Sequence, residues 1–426
     1  MADWYNAVTW LVLAALSAVS LLVLLFRTGR GSGVRPWVLG ALRRLSRRDD
    51  LRWLDWQPLL AAAGIAFACV SAYGILSGQY GCRPGGSDPL TILHSGNAFW
   101  AGQSPFRVPQ CAHTGQIPYG MAAILLTAIG SLGGLPGVYA VWGVVALSVI
   151  PLTWAVAGPD RRYVTVFVST SVLLVPIVCS QIDGATNAIV PATVLLSLYL
   201  ASRNELLSAA VGGFLSTARF PNLLPILGET ATFRRRQYLS FAVACAVFAA
   251  VTALTFAIWG QTFLNIVFVQ QLGRRSFSLN IYGILLLSNA LPGGIGVEAV
   301  QAVLTVALLV AVMVWARSAL TAAALMLVGF ALLTPFLSYN ILIWLLPVAL
   351  LGARAQWWLW GVGFVGSLNY DLALNVWAWD DGVSWPSMVL DVVLTVLLLL
   401  LFVELWRNEM AGRTRPKAVV TPDRAT

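Results

Sequence analysis

YLSFAVACAVFAAVTALTFAI, residues 238–258, runs for twenty-one residues without a charge. Coiled as an α-helix it is about 31 Å long, the thickness of the hydrocarbon core of a bilayer. Arg234, Arg235 and Arg236 stand directly before it. The run reads as a transmembrane helix with its basic end in the cytoplasm.

The same signal recurs along the chain. Apolar spans are predicted at residues 4–26, 59–78, 137–157, 163–179, 187–201, 295–316, 319–334, 341–352, 357–375 and 387–406. Hydrophobic residues make up 59% of the 426 and charged residues only 10%. Soluble domains carry about 25% charged residues, so a soluble helical protein is excluded. The net charge of +9 lies in short loops and the C-terminal tail. That placement fits positive-inside topology and anionic headgroups, with membrane lipids as partners and no nucleic acid. The first apolar stretch has no basic leader and no small-residue cleavage site, and is expected to be retained.

Charge also sets orientation. Arg27, Arg30, Arg35, Arg43, Arg44, Arg47, Arg48 and Arg52 crowd the loop after the first span. That places residues 27–58 inside and residues 79–118 outside. The tail, with Arg407, Arg413, Arg415 and Lys417, falls inside. Residues 119–134 read as re-entrant or interfacial, because a full crossing would put Arg161 and Arg162 outside. Residues 206–217 and 221–230 are too short to cross and read as half-helices meeting at Arg219, Phe220 and Pro221. The expected fold is an all-α polytopic membrane protein of about 11–13 transmembrane or half-membrane helices with a large first outer loop. Its parts are an N-terminal helix and basic loop (1–58), a transmembrane domain (59–406) and a basic cytoplasmic tail (407–426).

The outer loop 79–118 is the most polar stretch and holds both histidines. Cys82 and Cys111 flank it; they are either a disulfide, if the loop faces an oxidising compartment, or free thiols. Cys69, Cys179 and Cys245 sit in or beside apolar runs. Asp88, before Pro89, reads either as a general base at the membrane boundary or as a helix N-cap, and the two roles are compatible.

Arg219 lies between the half-helices. An arginine at membrane depth usually faces a polar cavity, and its fork suits a phosphate; interfacial snorkelling is the other reading. Arg274 and Arg275 in an outer loop either bind phosphate or are simply solvated. Gln181 and Asp183 belong to a polar island between apolar runs, either a substrate cavity or an outer turn, and Asn340 reads the same way. His94 and His113 are too isolated for a metal site, and no cofactor or nucleotide-binding motif is present.

An ordered set of segments resembles the polyprenyl-phosphate-sugar-dependent membrane glycosyltransferases of the GT-C superfamily. The group it is most similar to is family 87, with polyprenyl-phosphate-mannose-dependent mannosyltransferases of the mycobacterial-envelope type. The carrying stretch is Asp88, Gly96, Ala98 and Gly102-Gln103-Ser104-Pro105-Phe106, then Ile117-Pro118-Tyr119-Gly120. Ser180-Gln181-Ile182-Asp183, Arg219-Phe220-Pro221, Asn280-Ile281-Tyr282-Gly283, Ser338-Tyr339-Asn340 and Trp344-Leu345-Leu346-Pro347 follow in the family's order. Arg219 stands where the family has Lys, Asp183 where it has Asn, and Asn340 where it has His. Ile92 and Leu93 replace its tyrosines.

The resemblance implies an inverting transfer of a sugar, mannose by family frequency, from a polyprenyl-phosphate-sugar donor to a lipid or glycan acceptor. The reaction would take place on the extracytoplasmic face of the plasma membrane. Asp88 would be the catalytic base. Gln181, Asp183, Arg219, Arg274, Arg275, Asn280, Tyr282 and Asn340 would bind substrate. The competing expectations are a lipid-linked sugar transporter or flippase, which would show polar groups on a path open to both faces, and a non-catalytic envelope assembly subunit.

Overall fold

The computed structural model describes residues 88–110, 113–116, 119–157, 186–233, 236–269, 295–334, 339–353 and 385–414, with scattered positions between 60 and 72. These are mostly helical. The elements, in order, are α1 (Asp88–Trp100), β1 (Arg107–Gln110), β2 (His113–Gln116), α2 (Met121–Ser131), α3 (Gly134–Val156), α4 (Ile189–Ala201) and α5 (Glu205–Ser216). A 3-10 turn (Phe220–Asn222) leads into α6 (Leu223–Thr230) and α7 (Gln237–Leu264), which ends in a π-turn (Asn265–Val269). Then come α8 (Ile295–Trp315), α9 (Ala319–Leu333), α10 (Tyr339–Gly352) and α11 (Trp385–Thr414).

Three stretches, Gly134–Val156, Gln237–Val267 and Val389–Met410, are long and apolar enough to cross a membrane. The charge-free run 238–258 lies within the second of them. That stretch extends past residue 258, but kinks at Gly260, whose φ of +54° no β-carbon tolerates well. Helix α11 continues beyond Trp406 to Thr414, into the stretch expected to be tail. α2 has 11 residues, about half of a crossing. The two half-helices are present as α5 and α6, with the break between Ser216 and Phe220. The spans expected at 4–26, 163–179 and 357–375 lie outside the described residues.

α9 sits at the centre. Ala322 to Val328 are almost wholly buried, because α6, α8, α10 and α11 pack around it. Its run of three alanines admits that many neighbours at close range. α4 and α5 form an antiparallel pair, and α5 lies along α7. The outward faces of α7, α8 and α11 leave Leu254, Phe256, Val303, Val310, Val396 and Leu399 exposed. In water, apolar strips of this extent are a liability, whereas against lipid they are at rest.

The polar stretch from Asp88 to Gln116 is built around α1. Gly102, at φ +70°, ends the helix: its N–H donates to Phe99 O at 3.1 Å, and that of Gln103 donates to Ala98 O at 2.8 Å. Ser95 Oγ donates to Pro105 O at 2.8 Å. Phe106 is then driven into an aromatic cluster with Trp259 and Phe263 of the kinked end of α7. An antiparallel hairpin follows, pairing Arg107 with Gln116 and Gln110 with His113. The sequence predicts plain loop here, and the hairpin departs from that expectation.

α1 packs on α2 at Gly96, where a β-carbon would lie 2.5 Å from Ser131 Cβ and 2.7 Å from Thr127 O. Gly96→Val is therefore expected to separate the helices and lower thermal stability in detergent, at a cost of about 1–3 kcal/mol. Tryptophan fluorescence during heating measures it, and an unchanged melting temperature would contradict this packing.

Candidate functional site

The break between α5 and α6 is held against the start of α2. Gly120 N–H donates to Ala218 O at 3.3 Å, and Ala122 N–H to Thr217 Oγ1 at 3.2 Å. The two backbones touch: a β-carbon on Gly120 would lie 1.9 Å from Thr217 O. Only glycine fits there, and α2 uses the Thr217 hydroxyl in place of a side-chain N-cap of its own. Pro221 follows Arg219 by two residues and fixes the turn, so Arg219 is left in extended conformation at the mouth of the break.

Arg219 is half-buried beside two rings. Its Nη2 donates to Tyr119 Oη at 2.9 Å, and its guanidinium carbon lies 4.4 Å from the Tyr119 ring centre and 5.5 Å from that of Trp344. Tyr119 Oη is 3.3 Å from Thr186 Oγ1, and Trp344 Nε1 donates to Asn187 Oδ1 at 2.8 Å. All four partners are buried. Arg219 Nε is shielded from solvent and has no hydrogen-bond partner among the described residues.

The starts of α2 and α4 and the second turn of α10 thus lie around one guanidinium. Tyr119 precedes α2, Thr186 and Asn187 precede α4, and Trp344 lies in the second turn of α10. Helix N-termini carry unpaired N–H groups and partial positive charge. Together with a fixed guanidinium they make an environment for an anion. The rings hold the guanidinium in place, so little side-chain entropy remains to be lost on binding.

Of the expected site residues, Arg219 is the one whose surroundings are described. Asp88 is the first residue of α1, as the start signal Asp-Pro predicts, and its side chain lies outside the described residues. Asn340 is the second residue of α10, one turn before Trp344, and its side chain is likewise outside. Gln181, Asp183, Arg274, Arg275, Asn280 and Tyr282 fall outside the described residues, as do Cys82, Cys111 and Cys179. Cys69 and Cys245 are free thiols. Among the described residues, no group of three His, Cys, Asp or Glu side chains is placed to hold a metal ion.

Tyr119 and Trp344 stand in motifs of the sequence that carry no role by themselves, and Asn187 carries no signal of its own. A tyrosine just before an apolar helix and a tryptophan just inside another are weak signals alone. They become informative only when the fold brings both to Arg219. No protein-family model matches the chain, and no curated protein matches it significantly.

Tyr119→Phe keeps the ring and deletes the hydroxyl. If Arg219 binds an anion, the change is expected to weaken that binding about fivefold, the worth of one hydrogen bond of roughly 1 kcal/mol, with the helix bundle unchanged. Titration with a phosphate monoester measures it; wild-type affinity would show that the hydroxyl does not orient Arg219.

Proposed function

We propose that the chain is a multi-pass plasma-membrane glycosyltransferase with a GT-C-like bundle over residues 59–406. It takes a sugar, mannose first among those to test, from a polyprenyl-phosphate carrier to a lipid or glycan acceptor on the extracytoplasmic face. The observation that carries this reading is Arg219: a half-buried guanidinium, steadied by Tyr119 and Trp344, with a shielded nitrogen that has no protein partner among the described residues. Such a group at a helix break, beside the starts of α2 and α4, suits the phosphate of a lipid-linked donor whose tail lies between apolar helices.

In this reading the acceptor hydroxyl gives its proton to the Asp88 carboxylate, and its oxygen attacks the anomeric carbon. The bond from that carbon to the phosphate oxygen breaks, and polyprenyl monophosphate leaves with the electron pair. Arg219 meets the charge that grows on the leaving phosphate. One displacement inverts the anomeric configuration. Gln181, Asp183, Arg274, Arg275, Asn280, Tyr282 and Asn340 complete the binding set in this proposal, and the N-terminal 1–58 and the tail 407–426 lie outside the catalytic unit.

The test is transfer by purified protein in detergent, with polyprenyl-phosphate-mannose and an oligomannoside or glycolipid acceptor. Inverted product from the lipid-linked donor, and none from a nucleotide sugar, is the expected result. No transfer with mannose or arabinose donors would turn attention to lipid-linked sugar transport.

A further inference from the structure

Glu229 is wholly buried on α6, and nothing in the transfer reaction uses it. Its Oε1 lies 2.9 Å from Ser197 Oγ of α4, which lies 2.8 Å from Ser208 Oγ of α5; Ser208 Oγ in turn lies 2.8 Å from Ser197 O. Ser197 Oγ donates to Glu229 Oε1 and Ser208 Oγ to the Ser197 carbonyl. A carboxyl that carries a proton and donates to Ser197 would free the Ser197 proton for Ser208, filling the contact between the two hydroxyls. Its other oxygen, Oε2, is buried with no partner among the described residues.

No described cation faces this carboxyl. α9, the main neighbour of α6, has no titratable residue. On α4, Tyr199 accepts from Arg203; on α5, Glu205 accepts the Arg236 N–H; both lie at the exposed end. On α7, Tyr238 is exposed and Cys245 is partly buried.

Unpartnered polar atoms continue from Glu229 towards the Arg219 break. Glu229 and Ile226 both face the α4–α5 pair: Ile226 and Ser197 close on Gly212 of α5, at 3.0 and 3.2 Å from where its β-carbon would be. Asn222 is four residues before Ile226 and seven before Glu229, and helical dihedrals continue from Asn222 into α6, so all three share one row. Asn222 is fully buried, and neither its Oδ1 nor its Nδ2 has a partner among the described residues. Thr193, one turn before Ser197 on α4, has a buried hydroxyl in the same condition. Since α4 and α6 both run from the break and Ser197 stands level with Glu229, Thr193, about 6 Å back along α4, falls between the levels of Asn222 and Glu229, beside Ile226. Ile226 blocks the direct line, and the polar groups pass it on the α4 side.

We infer that Glu229 is an internal proton-binding group, reached from the Arg219 break by water bridging Asn222, Thr193 and Ser197. Buried polar atoms in folded proteins are almost always bonded to protein or to ordered water, and four here lack a protein partner: Asn222 Oδ1 and Nδ2, Thr193 Oγ1 and Glu229 Oε2. The spacing excludes a single ion: Asn222 and Glu229 are about 10 Å apart along the helix.

Infrared spectra of the purified protein, wild type minus Glu229→Gln, isolate the Glu229 carboxyl. Glu229→Asp, which moves the band, serves if the glutamine variant is not recovered. The expected result is a protonated-carboxyl band that shifts when the solvent becomes D2O, with that shift lost in Asn222→Leu and in Thr193→Val. A protonated band that does not shift in the wild type would overturn the inference by showing a dry site. An ionised carboxyl would overturn it by showing no bound proton. A shift that persists in both filled variants would overturn the route. None of these readouts depends on glycosyl transfer.

Discussion

Arg219→Ala is expected to reduce sugar transfer by about a hundredfold or more, the loss typical when one preorganised donor to developing charge is removed. The fold should survive. The break is held by Gly120 N–H on Ala218 O and by Ala122 N–H on Thr217 Oγ1, and neither bond uses the arginine side chain. What disappears is the guanidinium beside Tyr119 and Trp344, whose Nε has no partner among the described residues. Arg219→Lys separates charge from shape. The ammonium keeps the charge but not the planar fork or the stacking, so transfer should fall by only about tenfold, near the worth of one charge-assisted hydrogen bond. The assay is transfer from the lipid-linked donor by purified variants of equal thermal stability. A wild-type rate in Arg219→Ala would mean that the guanidinium merely reaches for water from a helix end.

The elements most legible in the sequence are those that rest on local rules. A charge-free run over 238–258 admits little other than a long helix, and the break at Arg219-Phe220-Pro221 is readable because proline cannot continue α5. The Asp88-Pro89 start and the Gly102 stop bracket α1 for equally local reasons. The motif Gly102-x-x-Pro105-Phe106 has a structural explanation: the glycine takes a positive φ, and the phenylalanine anchors the chain under α7. The hairpin after it was missed because strands of four residues, one carrying a proline, give almost no alternation to read.

The candidate site was legible only as a single residue. Arg219 stood out because its charge is anomalous among apolar neighbours. Tyr119 and Trp344 did not, since each suits its own helix as an ordinary aromatic, and the separation of Tyr119 from Arg219 along the chain hides their contact. Glu229 carried the same anomaly as Arg219, an ionisable group in an apolar half-helix, and went unremarked. Local propensity does not reveal which of two such groups faces a cavity and which faces two serines. That depends on how α4, α5 and α6 dock.

Asp88→Asn should abolish transfer while leaving stability unchanged, and this substitution separates the two roles that one aspartate at a helix start can hold. Helix α1 begins at Asp88, with Pro89 next. Asparagine caps a helix as well as aspartate and has nearly the same shape, so a purely structural Asp88 would tolerate the change. It cannot accept a proton from an acceptor hydroxyl. If Asp88 is the base, the rate falls by about 10²–10⁴, the usual contribution of a positioned proton acceptor. Donor affinity should be unaffected, because in the proposed reading the phosphate is held by Arg219 and not by Asp88. Asp88→Ala adds loss of the cap, costing about 1 kcal/mol of stability, and should be no slower in transfer than the asparagine variant. The opposite ordering, with a normal rate in Asp88→Asn and a lowered melting temperature in Asp88→Ala, would leave Asp88 as a cap alone. The base would then have to be sought elsewhere, with Asp183 in the polar island before α4 the next residue to replace.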